Sequence, residues 1–222
     1  MGDLNASSKG DGGQVYADTH RGPLARIAEP LARRARRGRH DLYRRVIAPR
    51  PGERILDVGC GAQGLAGFEH DADITGLDAA DRPEYPGRRF VRGDARALPF
   101  EDGSFEVAYS NSLVEHLDPA DRPRFAAEIR RVAGRYWVQT PNRWFPIEPH
   151  VLLPGFQFLP EPARRRLWRL GRPGTAYESI ELLDARELHE LFPDAVILRE
   201  RFAGMTKSLI AAGPAELVRS SR

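Results

Sequence analysis

Short apolar runs, each closed by glycine, proline or aspartate, recur through the middle of the chain and predict β-strands. Five of these runs cover residues 54–59, 73–78, 89–94, 105–110 and 135–140. Their succession predicts a parallel sheet, since helical or loop segments separate them. Two later runs, 195–202 and 207–212, are joined by only a few residues, and so short a connection requires an antiparallel pair.

Apolar residues recur at helical spacing in three further segments, which are 40–48, 121–134 and 184–192. The second segment has Asp121 as its predicted N-cap and Gly134 at its end. The third opens with Asp184 and, three residues later, Glu187, which is the pattern of a capping box. Strands and helices together predict an α/β fold with a mostly parallel sheet and an antiparallel C-terminal β-hairpin.

Length and composition predict one domain. A chain of 222 residues that is 41% hydrophobic can bury a single good core. Residues 1–15 are rich in glycine, serine and aspartate and are predicted to be a disordered tail, which leaves 16–222 as the domain. The proline-broken, aromatic-rich segment 141–174 follows the fifth strand, where we expect an insertion that covers a ligand crevice.

Cysteine and charge add little chemistry. Cys60 is the only cysteine, so an internal disulfide is excluded, and its place between two glycines favours a small residue in a tight loop. The formal charge is +3, and the arginine-rich run 32–45 fits a solvated helix face as well as a surface for phosphates or an anionic membrane. The N-terminus lacks the apolar core of a signal peptide, and no apolar run approaches the about 18 to 20 residues of a membrane helix, so we expect a cytoplasmic protein.

The loop after the first strand, LDVGCGAQG, is a candidate nucleotide site. Gly59, Gly61 and Gly64 have the spacing G-x-G-x-x-G, which lets the backbone approach a ligand closely at the carboxyl end of a parallel strand. Asp78 ends the second strand, where a carboxylate can accept both hydroxyl hydrogens of a ribose. These two features suit NAD and an adenosyl cofactor equally.

Neighbouring motifs favour the adenosyl cofactor. Asp57 stands where a dehydrogenase fingerprint has an apolar residue, and GDARALPF places Asp94 to accept from an adenine amino group. EDGSFEVAYSNSLVEHL and the terminal hairpin follow. With these motifs in this order, residues 40–212 resemble the class I S-adenosylmethionine-dependent methyltransferases, in particular the type 11 group. The resemblance implies a Rossmann-like, seven-stranded sheet with helices on both faces, and S-adenosyl-L-methionine as cofactor.

The resemblance also implies roles for individual residues. Asp57, Gly59 and Gly61 would line the methionine and ribose end of the cofactor, and Asp78 would bind the ribose. Asp94 with the backbone of Ala95 would read adenine, and Asn111 would lie beside the sulfonium. The complete predicted cofactor site is Asp57, Gly59, Cys60, Gly61, Gly64, Asp78, Ala79, Asp94, Ala95 and Asn111. Two departures stand out, because 64–73 is short for the usual first helix and 79–89 leaves little room for the second.

Methyl transfer from a sulfonium needs alignment and a dry site more than acid catalysis, so few catalytic residues are expected. The candidates are His116 in VEHL and His150 with Glu148 in FPIEPH. A hydroxyl acceptor would benefit from such a base, whereas a carboxylate acceptor would not. The alternative for each is structural: His116 packs or caps a helix, and the other two fold the cover. Glu148 and His150 lack a visible third ligand, so no metal site is predicted.

The segment 151–172 is apolar and then basic, which fits a lipid-like acceptor, peripheral contact with an anionic membrane, or a basic helix over a soluble pocket. Nucleic acid is not an expected partner, since SNSLVEHL differs from the Asn/Asp-Pro-Pro-aromatic motif of nucleobase methyltransferases. We therefore predict a methyltransferase for a small-molecule or lipid-like acceptor, on oxygen or nitrogen. The alternatives are an NAD-dependent Rossmann oxidoreductase and a non-catalytic subunit that retains the fold.

Overall fold

The computed structural model describes residues 23–148, 151, 153–171, 177 and 180–219, without the side chains of 23–33, 171 and 219. The strands are β1 (Arg54–Val58), β2 (Asp73–Asp78), β3 (Arg89–Arg92), β4 (Phe105–Asn111), β5 (Ala133–Pro141), β6 (Val196–Phe202) and β7 (Met205–Gly213). The α-helices are α1 (Pro23–Val46), α2 (Arg122–Val132), α3 (Glu161–Gly171), α4 (Ala185–Leu191) and α5 (Ala215–Arg219). Short 3₁₀ helices lie at Leu65–Gly67, Val114–His116 and Phe156–Phe158.

All seven strands form one sheet in the order β3-β2-β1-β4-β5-β7-β6. The first five strands are parallel, and β7 pairs antiparallel with both β5 and β6. The predicted parallel sheet and terminal hairpin are therefore confirmed. Strand order reverses between β1 and β4, and in open α/β sheets ligands bind beside such a switch point, outside the carboxyl ends of the strands.

Apolar side chains cover both faces of the sheet, which explains the nearly continuous apolar runs of its central strands. On one face, Phe125 and Ile129 of α2 and Leu188 of α4 join the buried core. On the other face, Tyr43 of α1 and Val218 of α5 do the same. Helices thus lie on both sides, as the resemblance implies.

Helix ends differ from the prediction in three places. Helix α1 begins at Pro23 rather than near residue 40, although Pro30 lies inside it; Leu24, Ile27 and Leu31 have the helical spacing that predicts this earlier start, and the prediction did not use it. Asp121 precedes α2 without making a side-chain cap and instead accepts from Arg96 at 2.6 Å. Gly134 lies in β5, since α2 ends at Val132 and the strand begins directly. The capping box of Asp184 with Glu187 is confirmed.

Both predicted helix shortages are present. A single 3₁₀ turn, Leu65–Gly67, follows β1, and residues 79–88 connect β2 to β3 without a helix. Tyr85 covers the strand in place of the absent helix, since a Cβ added at Gly76 of β2 would lie 2.5 Å from its ring. Glycine at 76 is therefore required for this ring to rest directly on the backbone.

The described part of the predicted insertion 141–174 folds back over the carboxyl edge of β5. Asn142 forms an isolated bridge with Leu183, and Gln157 donates to the carbonyl oxygens of Arg143 and Phe145 at 3.1 and 2.7 Å. The predicted tail, 1–15, lies outside the described residues. None of the described helices is long and apolar enough to cross a membrane.

Candidate functional site

A buried carboxylate holds the glycine loop in shape. Asp57, at the end of β1, is 1% exposed, and its Oδ2 accepts from the Leu65 backbone N–H at 2.6 Å and from the Tyr85 hydroxyl at 2.9 Å. Burial raises the pKa of this carboxyl to about 7, against the lowering effect of the two hydrogen bonds. A Cβ at Gly64 would lie 2.0 Å from Asp57 Oδ2. The carboxyl thus supports the loop from behind.

The second acidic residue fixes the middle of the loop. Asp78, at the end of β2, accepts from the Gly61 N–H at 2.9 Å and from the Ala80 N–H at 3.0 Å. A longer contact of 3.4 Å joins it to the Arg82 guanidinium. Gly61 has φ +57°, and a Cβ built on it would meet nothing within 4 Å. The backbone of Gly61 therefore faces open space at the switch point.

These observations test whether an adenosyl cofactor fits. Close approach to a ligand requires an open backbone surface, which Gly61 offers, and a ribose requires a carboxylate with free acceptor capacity. A carboxylate has about four acceptor positions, and among the described residues only three donors reach Asp78, one of them at a long distance. The residues therefore fit the cofactor that the resemblance implies.

The predicted adenine reader lies in an ion pair. Asp94 follows β3, and both of its oxygens accept from the Arg96 guanidinium at 2.7 to 3.0 Å. This pairing holds the pKa of Asp94 below its ordinary value. Ala95 beside it is buried. Any adenine amino group bound here would share the carboxylate with Arg96, which the motif alone did not indicate.

Cys60 places a thiol in the glycine loop. It is 4% exposed and packs with the apolar core on the α1 side of the sheet. Burial raises the pKa of its thiol far above the ordinary range. The thiol is therefore a packing group, and any part of Cys60 in binding falls to its backbone.

A polar network closes the other half of the cleft, above β4 and β5. Asn111 at the end of β4 lies opposite Gln139 of β5 in the sheet register. Arg39 of α1 reaches over both, donating to Asn111 Oδ1 at 2.8 Å and to Gln139 Oε1 at 3.3 Å. It also pairs with Glu200 of β6 at 2.8 Å. Ser112, in this network, adopts a left-handed φ of +57°, a conformation that often marks functional sites.

Glu115, rather than His116, is the fully buried ionisable residue of the VEHL motif. Glu115 is 0% exposed and accepts from the Thr140 hydroxyl of β5 at 3.0 Å. His116 is half-buried at the end of the same 3₁₀ turn. The motif therefore ties the turn to the sheet through Glu115, and the catalytic role of His116 stays a prediction.

The other two catalytic candidates belong to the cover. Glu148 is 3% exposed and accepts from the Val151 N–H at 2.7 Å, so one of its oxygens stabilises the fold of the cover. A small cavity lies beside it, lined by Phe156, Trp168 and Tyr177. His150 lies outside the described residues. The catalytic roles of Glu148 and His150 therefore stay predictions.

Sequence reasoning missed Arg39, Tyr85 and Gln139, each of which reaches the site from a segment without a motif. Arg39 stands in an arginine-rich run where no residue is distinguished from its neighbours. Tyr85 lies in a proline-rich loop, and Gln139 is the polar residue of an otherwise apolar strand, RYWVQT. A polar residue in an otherwise apolar central strand is the one signal by which Gln139 could have been found from the sequence.

Known proteins resemble this chain in the region that holds the glycine loop and Asp78. Residues 56–135 match the family model described as a methyltransferase domain. A phthiotriol/phenolphthiotriol dimycocerosates methyltransferase of Mycobacterium leprae is 43% identical over 93 residues, which is 36% of this chain and 34% of that protein. This chain thus aligns with about a third of that relative's length.

Solved structures share the fold at low identity. A SAM-dependent methyltransferase from Methanosarcina mazei has a TM-score of 0.50 and 17% identity, covering 74% of this chain and 92% of that one. The N-methyltransferase NodS from Bradyrhizobium japonicum, solved with S-adenosylhomocysteine, has a TM-score of 0.51 and 12% identity over 80% of this chain and 86% of its own. These likenesses concern the fold.

Proposed function

We propose that this chain, a member of the class I S-adenosylmethionine-dependent methyltransferase superfamily, transfers a methyl group to a small-molecule or lipid-like acceptor. The observation that carries the proposal is the arrangement of Gly61 and Asp78 at the switch point. The Gly61 backbone faces open space there, with its N–H held by the Asp78 carboxylate. Such a surface lets a nucleoside lie against the loop while the carboxylate takes its ribose.

The cofactor supplies an electrophilic methyl group on a sulfonium. Its methionine and ribose end would lie along Gly59 to Gly64, with the ribose hydroxyls on Asp78 in exchange for the long Arg82 contact. Adenine would lie at Asp94 and Ala95, and the methyl end near Asn111. Asp57 holds the loop and stays behind it, because its bound oxygen is already committed to Leu65 and Tyr85.

The protein's own contribution is alignment and exclusion of water. Arg39 draws α1 over the ends of β4, β5 and β6, and the cover folds over the adjoining edge. For a hydroxyl acceptor, His116 is the candidate base that lies nearest along the chain to Asn111. Glu148 and His150 are the alternatives from the cover.

Sheet topology disfavours the NAD-dependent alternative. Dinucleotide-binding Rossmann domains have six parallel strands in the order 3-2-1-4-5-6. Here β7 enters antiparallel between β5 and β6, and α1 precedes β1. Both differences match the reasons for which the sequence favoured an adenosyl cofactor.

Exposed side chains on the cover support contact with an anionic lipid surface through 151–172. Trp144 and Phe158 are 65% and 53% exposed and stack at 5.8 Å, and Leu170 is 73% exposed. Arginines of α3, the helix that also carries Leu170, are exposed at 165, 166 and 169. Aromatic and basic groups on one surface are the pattern of a peripheral membrane site, where a lipid-like acceptor would be collected.

Tritium transfer tests the proposed activity. The protein is incubated with S-adenosyl-L-methionine labelled in the methyl group and a total lipid extract or a water-soluble metabolite extract, and the labelled product is counted. We expect label in a product, at least tenfold above the Asp78→Ala variant. Cofactor binding without label in either extract would favour the non-catalytic subunit.

A further inference from the structure

One arginine fixes the orientation of two amide side chains at the carboxyl ends of β4 and β5. Arg39 Nη1 donates to Asn111 Oδ1 at 2.8 Å and to Gln139 Oε1 at 3.3 Å. A guanidinium has no acceptor, so each amide must present its oxygen to Arg39 and turn its nitrogen away. The Ser112 hydroxyl donates to the same Gln139 oxygen at 3.1 Å and enforces the same orientation.

The two amide nitrogens have no partner among the residues that the structure describes. Within the described part of the chain, neither Asn111 Nδ2 nor Gln139 Nε2 donates a hydrogen bond. Gln139 is only 1% exposed and Asn111 is half-buried, so both amides are largely shielded from solvent. Amide donors that are largely shielded from solvent usually have an acceptor, and two of them beside a cleft indicate a ligand oxygen.

An unpaired cation lies in the same neighbourhood. Lys207 of β7 is half-buried, and its ammonium makes no ion pair or hydrogen bond with the described residues. Glu200 is the one acidic group among those that act on it, and Arg39 already holds that carboxylate by two bonds, of 2.8 and 3.1 Å. Burial, with Arg39 and Arg36 nearby, lowers the pKa of Lys207. A bound anion would relieve this excess of positive charge.

We propose that Asn111, Gln139 and Lys207 bind a ligand carboxylate, with Arg39 as the positioning residue for the two amides. The inference rests on the proposed function. Two amide donors and one cation match the acceptors and the single charge of a carboxylate. That group has two sources, the amino-acid end of the cofactor or the methyl acceptor itself. In the second case a carboxylate oxygen would bond to the methyl carbon while the S–CH3 bond of the sulfonium breaks, which would give a methyl ester and a neutral thioether without any general base.

Calorimetric titrations distinguish the two sources. S-adenosylhomocysteine carries the carboxylate, 5′-methylthioadenosine is the corresponding nucleoside without it, and sodium octanoate added to the S-adenosylhomocysteine-saturated protein represents an acceptor acid. The variants are Gln139→Leu and Lys207→Met. Arg199→Met, which removes an exposed positive charge on the strand that carries Glu200, is the matched control. Thermal unfolding checks that each variant folds. If Gln139→Leu does not fold, the test rests on Lys207→Met alone.

We expect Gln139→Leu and Lys207→Met each to weaken the binding of one carboxylate ligand about tenfold or more. Arg199→Met should leave the binding of every ligand unchanged. If S-adenosylhomocysteine weakens while 5′-methylthioadenosine is unchanged, the site holds the cofactor carboxylate. If octanoate binding is lost while both nucleosides are unchanged, it holds the acceptor. Wild-type affinity of both variants for every ligand overturns the inference. Should the wild type bind neither nucleoside, the proposed function fails, and octanoate is titrated into the unliganded protein instead. Octanoate binding that Lys207→Met abolishes then still supports the carboxylate site, and no octanoate binding overturns it.

Discussion

At the scale of single residues, Asp57 is the point where the site and the stability of the fold meet. Its carboxyl is fully buried and receives the first backbone N–H after the glycine loop and the hydroxyl of a distant tyrosine. Burial of a carboxyl favours the neutral form, which is why its pKa rises to about 7. The loop that faces the cofactor is thus held by a group that titrates near neutral pH.

This titration predicts a pH-dependent stability. The folded protein binds the Asp57 proton up to about pH 7, whereas the unfolded chain releases it near pH 4, so the free energy of unfolding falls as pH rises through that interval. This pKa shift of Asp57 corresponds to a loss of unfolding free energy on the order of 4 kcal/mol. Urea unfolding at pH 5 and pH 8 should show a larger decrease for the wild type than for Asp57→Asn, which cannot titrate. Equal decreases in both proteins would contradict this role.

A second residue-scale prediction compares two glycines of the same loop. Both have positive φ, but an added Cβ meets Asp57 at 2.0 Å in Gly64→Ala and nothing within 4 Å in Gly61→Ala. We expect Gly61→Ala to cost about 1 kcal/mol of stability from its left-handed backbone, and Gly64→Ala to cost clearly more. Gly61→Ala should nevertheless weaken S-adenosylhomocysteine at least tenfold, since its methyl group enters the open space. Denaturant unfolding and calorimetry measure both effects, and unchanged affinity in Gly61→Ala would count against the assigned space.

At the scale of elements, one side chain replaces a missing helix. The ten residues between β2 and β3 form no helix, and Tyr85 packs on Gly76 and reaches Asp57 with its hydroxyl. The sequence predicted the missing helix because 79–89 leaves little room for one. It did not predict the replacement, because a tyrosine in a loop carries no periodicity that would reveal its contacts.

Truncation of this tyrosine tests the replacement. Tyr85→Ala removes the ring that covers β2 and is expected to cost about 3 to 5 kcal/mol of unfolding free energy. Tyr85→Phe keeps the ring and removes only the hydrogen bond to Asp57, for which about 1 to 3 kcal/mol is expected. Urea denaturation of both variants measures the two contributions. A Tyr85→Ala loss no greater than that of Tyr85→Phe would show that the ring does not serve as the cover.

At the scale of the whole molecule, the sequence predicted the strands, which of them run parallel or antiparallel, and the position of the glycine loop. Each of these depends on patterns that are local in the chain. Asp57, Gly61 and Asp78 were found in this way. Contacts across the sheet could not be found, since Arg39 and Glu200 are separated by most of the domain and meet only after β6 packs beside β7. The length of α1 was missed although Leu24, Ile27 and Leu31 recur at helical spacing in its first half, because the prediction started only at residue 40.

Binding to vesicles is the prediction for the molecule as a surface. Vesicles of phosphatidylcholine with phosphatidylglycerol should co-sediment the protein, and neutral phosphatidylcholine vesicles should not, because the arginines of α3 need an anionic partner. The double variant Arg165→Glu, Arg166→Glu should lose binding, whereas Arg186→Glu on α4 should keep it. Raising the salt concentration should weaken the binding of the wild type. Equal sedimentation with both kinds of vesicle would reject contact through 151–172.

The most direct test of the cofactor assignment is isothermal titration of the protein with S-adenosylhomocysteine, with NAD as the parallel ligand. We predict saturable binding of S-adenosylhomocysteine, no binding of NAD, and at least tenfold weaker S-adenosylhomocysteine binding in Asp78→Ala, which loses the ribose acceptor. Binding of NAD instead, or no binding of either ligand by a folded wild-type protein, would contradict the account of the glycine loop as an S-adenosylmethionine site.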